Sequence, residues 1–83
     1  MDASELLRQL CDSLTRSGLT VRQERLGGDG GGICKMRGQY TLFIDLDADP
    51  ETQLQRSVEC LNLLPNLDGI YLPPQIREKI DPS

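Results

Sequence analysis

Gly27-Gly28-Asp29-Gly30-Gly31-Gly32-Ile33-Cys34-Lys35-Met36-Arg37-Gly38 is the stretch on which the fold turns. It holds six of the chain's eight glycines and runs directly into a strand-like segment. Glycine reaches backbone conformations that other residues avoid, at an entropic cost to folding. A run this dense is either a mobile connector or a backbone that something approaches closely. Consecutive backbone N–H groups can form an anion-binding nest. Gly28, Gly30, Gly31 and Gly32 are therefore candidate ligand-binding positions, with Cys34 beside them. No nucleotide motif accompanies them. A P-loop needs Gly-Lys-Ser/Thr, which is absent, and a dinucleotide-binding turn leads from a strand into a helix, whereas this run leads from strand to strand.

Downstream, Ile33 to Arg37 and Tyr40 to Ala48 read as a β-hairpin. Strict alternation puts Tyr40, Leu42, Ile44, Leu46 and Ala48 on one face and Thr41, Phe43, Asp45 and Asp47 on the other. The turn at Arg37-Gly38-Gln39 sets the register. A two-residue turn places Ile33 and Lys35 beside Leu42; a three-residue turn places Cys34 and Met36 there, and a one-residue slip exchanges the faces. The three-residue turn is the expected one, because it buries Cys34 and Met36 and exposes Lys35.

Upstream, Leu6, Leu7, Leu10, Cys11 and Leu14 make one apolar stripe over a helix at 4–17. Asp2 or Ser4 suits its start, and Gly18 suits the position past its end. Leu19 to Leu26 reads as a first strand. Beyond the hairpin, Asp49-Pro50 is a helix start, a capping carboxylate followed by proline at the first helical position. That helix is expected to run to about Leu63, with Leu54, Val58 and Leu61 as its stripe and Cys60 at its edge, and to stop at Pro65. Asp68-Gly69 reads as a turn and Ile70-Tyr71-Leu72 as a short extended segment. Pro73-Pro74 opens a last short helix with Ile76 and Ile80 four apart. The order αβββα with a C-terminal turn and short helix predicts one α+β domain over 1–83, a three-stranded antiparallel sheet with its helices on one face.

Composition narrows the function. Charged residues are 27% and hydrophobic residues 37% of the 83, which suits a folded globular domain. The net charge of −4 disfavours contact with phosphate backbones, and Tyr40, Phe43 and Tyr71 are too few for a base-stacking platform, so no nucleic-acid partner is expected. No run approaches a membrane span, and no basic region followed by an apolar stretch opens the sequence. Three dispersed cysteines, Cys11, Cys34 and Cys60, do not form a disulfide framework and read as reduced thiols of a cytoplasmic protein. The lack of histidine removes the commonest general base and metal ligand. No cofactor, metal or catalytic residue is expected.

Three further features bear on chemistry. Asp45-Leu46-Asp47-Ala48-Asp49 opens like a calcium loop, but Pro50 stands where glycine should and Arg56 where glutamate should. Two acids on a solvated strand face followed by a helix cap is the better reading. Cys34 lies next to Lys35 and Arg37, cations that favour a thiolate, yet strand alternation points them away from it. Ile70, Tyr71, Leu72, Ile76 and Ile80 crowd the last fifteen residues, where they close a core or dock on a partner. Phe43 lies opposite the core face of its strand, so Phe43, Ile70, Tyr71, Leu72 and Ile76 are the candidate interface residues.

The pattern Gly31-Gly32-Ile33-Cys34-Lys35-Met36-Arg37-Gly38, then Leu42-Phe43-Ile44-Asp45, then a helix and Ile70-Tyr71-Leu72-Pro73-Pro74, resembles a small bacterial family of uncharacterised proteins. That resemblance implies a bacterial cytoplasmic setting and no known activity. A fainter similarity is to small zinc metallopeptidases, in which such a hairpin precedes the metal-binding helix. Here Ser57-Val58-Glu59-Cys60-Leu61-Asn62 stands in that place without either histidine. The leading expectation is a non-enzymatic interaction or regulatory module that self-associates as a homodimer or meets another protein. A small-anion or small-ligand binder using the Gly27–Gly32 loop and a thiol redox protein using Cys34 are the alternatives.

Overall fold

Two aspartates start the two long helices. The computed structural model describes residues 2–64 and 70–79. Helix α1 spans Ala3–Arg16, and the Asp2 carboxylate caps it by accepting from the Glu5 N–H at 2.9 Å. It ends in a Schellman turn: the Leu19 N–H bonds the Leu14 carbonyl and the Gly18 N–H bonds that of Thr15. Helix α2 spans Pro50–Leu61, two residues shorter than expected, and Asp49 caps it through the Thr52 N–H at 2.7 Å. A single-turn helix, α3, spans Pro74–Arg77. The expected helix stop at Pro65, the Asp68-Gly69 turn and Ile80 lie outside the described residues.

Strands β1 (Thr20–Glu24), β2 (Gly31–Met36) and β3 (Gln39–Asp45) form one sheet in the order β1-β3-β2. The domain is α+β and its helices pack against the sheet. The sheet itself is mixed rather than all-antiparallel. β2 pairs antiparallel with β3, but β1 runs parallel to β3 on its other side. The last strand inserts between the first two. β1 and β2 therefore lie two strand spacings apart, about 10 Å. The six residues between them bridge that gap over the end of β3.

The register differs from the expected one. Ile33 pairs with Leu42, Lys35 with Tyr40 and Met36 with Gln39, so the turn has two residues, Arg37 and Gly38. Both have positive φ, 53° and 79°. That is the signature of the primed turns whose twist matches a hairpin, and Arg37 bears the steric cost of an unusual conformation for a side-chain-bearing residue. Cys34 and Met36 consequently face away from the helices and are exposed, Met36 by 48%. The core face of β3 is also shorter than the alternation suggests. The strand stops at Asp45, and Leu46, whose N–H reaches the Glu24 carbonyl, is 49% exposed.

The core lies between the sheet and the helices. Leu42 and Ile44 of β3 meet Leu10 and Leu14 of α1 and Leu54, Val58 and Leu61 of α2 in one buried cluster. Val21, Ile33 and Tyr40 pack on its edge from the same sheet face. Ile70, Leu72 and Ile76 complete it. A chain of this size has a thin stability margin. Leu61, fully buried, is the sharpest test of that core. Leu61→Ala is expected to lower the unfolding free energy by about 2–4 kcal/mol in denaturant titrations, whereas a surface position would stay within about 0.5 kcal/mol.

Candidate functional site

The glycine run is built around a carboxylate of the same chain. Asp45 ends the central strand, and the connector from β1 to β2 passes over that end. Its Oδ1 accepts from the Leu26 N–H at 2.8 Å and the Asp47 N–H at 2.9 Å. Its Oδ2 accepts from the Gly28 N–H at 2.6 Å and the Gly30 N–H at 3.2 Å. Asp47 takes the Gly27 N–H at 3.1 Å. Gly27, Gly28, Gly30 and Gly31 all have φ between 93° and 120°, the geometry that turns successive N–H groups inward. The nest anticipated from the sequence exists, and the anion it holds is Asp45.

This corrects the reading of Asp45 as an acid on a solvated strand face. The residue is fully buried. Burial pushes its carboxyl upward, but four backbone N–H donors outweigh that and hold it at about 2, below the ordinary 3.8. The main chain at the same point is equally engaged. Gln53, buried on α2, donates from Nε2 to the Asp45 carbonyl at 2.7 Å and to the Ala48 carbonyl at 2.9 Å. Asp45 thus ties β3 to the connector, while Gln53 ties the same strand end to α2. The three acids of the calcium-like stretch serve backbone donors: Asp45 and Asp47 in the loop, Asp49 at the helix start.

Gly31 shows why the run must be glycine where it enters β2. A Cβ there would lie 2.0 Å from the Phe43 carbonyl oxygen, at a φ of 120°. The Gly31 carbonyl in turn accepts from the Arg56 Nε at 3.1 Å. Gly32 is different, with open space where a Cβ would stand. It forms the floor of a shallow hollow on the sheet, walled by Leu26, Ile33, Cys34 and Phe43, with Asp29 at its rim.

The candidate residues separate accordingly. Gly28 and Gly30 have their N–H groups committed to Asp45, so they do not offer them to a dissolved anion. Cys34 lies exposed on the open sheet face, not buried in the strand as expected. Burial pushes the Cys11 and Cys60 thiols above their usual range. Of the interface candidates, Ile70, Leu72 and Ile76 are buried in the chain's own core and leave the list of surface residues. Of the two roles open to this segment, closing the core and docking on a partner, these three take the first. Tyr71 is 70% exposed and Phe43 is half-buried on the open sheet face. No family model, curated protein or solved structure matches the chain.

The residue that sequence reasoning missed is Asp45. The sequence offers a glycine run without a ligand motif and an aspartate at a strand's end, but not that the run crosses that end. The pH dependence follows from the lowered carboxyl. A group bound more weakly to its proton in the folded state stabilises the fold above its unfolded pKa and loses that contribution as pH falls through the folded one. Stability is expected to drop between about pH 4 and pH 2. Asp45→Asn, which sets an amide N–H₂ against backbone donors, should be less stable at neutral pH and flatter across that window. Urea midpoints measured from neutral to acid pH check both.

Proposed function

We propose that this protein is a non-enzymatic interaction or regulatory module that self-associates, in the cytoplasm of a bacterium. The observation that carries the reading is a set of exposed apolar groups at the sheet. Leu26, Met36 and Leu46 are 41–49% exposed and lie on or beside the strands, as do exposed Cys34 and half-buried Phe43; Leu63 and Tyr71, exposed by 74% and 70%, lie outside them. Helices α1 and α2 cover the other face of the sheet. On the open face Arg22 and Glu24 of β1 pair at 3.0 Å, so their charges offset each other.

The small-anion alternative has less support, since the loop amides that would bind an anion already hold Asp45 and Asp47. Sedimentation velocity tests self-association. A dimer mass at about 100 μM, above typical dimer dissociation constants, is expected. A monomer at that concentration contradicts the proposal.

A further inference from the structure

We infer that two copies join through the edge of β2, antiparallel across a two-fold axis at Cys34, making one continuous six-stranded sheet. This rests on the self-association proposed above and names its seam. β2 is an edge strand, and among the described residues nothing pairs with its outer side. In an antiparallel ladder, alternate residues turn their N–H and C=O outward. The Asp45 N–H bonds the Gly30 carbonyl, which fixes the alternation: Gly31, Ile33 and Lys35 face out.

Three two-fold registers are close at hand, and the structure separates them. Centring the pair on Lys35 sets two ammonium groups directly opposite each other. Centring it on Ile33 needs the Gly31 carbonyl, which Arg56 already holds at 3.1 Å. Centring it on Cys34 exchanges bonds between Ile33 and Lys35 of the two copies and leaves that carbonyl alone. Lysine at an edge ordinarily guards against such pairing. Here the Lys35 ammonium is drawn back over its own Tyr40 ring, 5.4 Å from the centroid.

The side chains fit the same register. Met36 of the second copy falls opposite Gly32, where there is open space above the backbone. It enters the hollow walled by Leu26, Cys34 and Phe43, and the two-fold axis repeats the insertion. Arg37 of the second copy falls opposite Gly31. The edge thus carries both the knob, Met36, and the hole, over Gly32, as an isologous contact requires.

The position of Cys34 gives the test. At a non-hydrogen-bonded antiparallel pair the two Cα atoms stand about 4.5 Å apart, within the span a disulfide bridges. Diamide, a diazene that takes two electrons and two protons from a pair of thiols to become a hydrazine, should convert the full-length protein to a disulfide dimer. Cys34→Ser should abolish that product. Met36→Glu, at an exposed position, should keep the native circular dichroism and raise the dimer dissociation constant about tenfold or more, the loss of one buried apolar side chain per copy. Lys35→Pro removes an outward N–H and should act likewise; should it fail to fold, Met36→Glu still decides. A dimer by sedimentation with no Cys34-dependent cross-link, or one indifferent to Met36→Glu, overturns the seam while leaving self-association standing. A monomer at high concentration overturns both.

Discussion

The Asp45 carboxylate and the four backbone N–H groups around it hold the architecture together. A sheet in which the third strand lies between the first two requires a connector that passes over the central strand's end. Such a connector exposes a row of backbone donors above a buried strand terminus, and buried donors without partners are costly. A single carboxylate accepts three of them, from Leu26, Gly28 and Gly30, and the Asp47 N–H besides. The donors in turn keep that carboxylate ionised despite its burial. Each half of the arrangement would be unfavourable alone.

The consequences spread outward from that point. With the connector fixed, Gly31 enters β2 against the Phe43 carbonyl, too close for any side chain. β2 then runs down the sheet edge with Cys34 and Met36 on the open face. Gln53 binds the strand end from the other side and aligns α2, whose buried stripe closes the core with α1 and the 70–79 segment. The glycines are structural before they are anything else. What they leave outside, among the described residues, is a sheet covered on one face with β2 at an unpaired edge, the feature on which the proposed self-association stands.

Much of this is legible in the sequence, and the failures have physical causes. Both long helices are announced by capping aspartates and leucine spacing, and β3 by its alternation. The strand order is not legible, because alternation says which face a residue takes and not which strand it neighbours. The hairpin register misled because burying Cys34 and Met36 and exposing Lys35 argued for a three-residue turn; the two-residue turn instead leaves Cys34 and Met36 on the open face and sets Arg37 at positive φ. Asp45 misled because period two groups it with Asp47, and charge argues for solvent. Its burial depends on N–H donors 15 to 19 residues upstream, a tertiary relation that no local pattern encodes. For Ile70, Leu72 and Ile76 the sequence left core closure and docking both open, because the core they complete is assembled from both ends of the chain.

Amide hydrogen exchange, resolved by residue at neutral pH, tests the central claim most directly. If the carboxylate of Asp45 organises the connector, the Leu26, Gly28, Gly30 and Asp47 amides exchange slowly, while exposed Asp29, between them, exchanges faster. If those four amides exchange at the rate of an unstructured chain, the glycine run is a loose tether and the account is wrong.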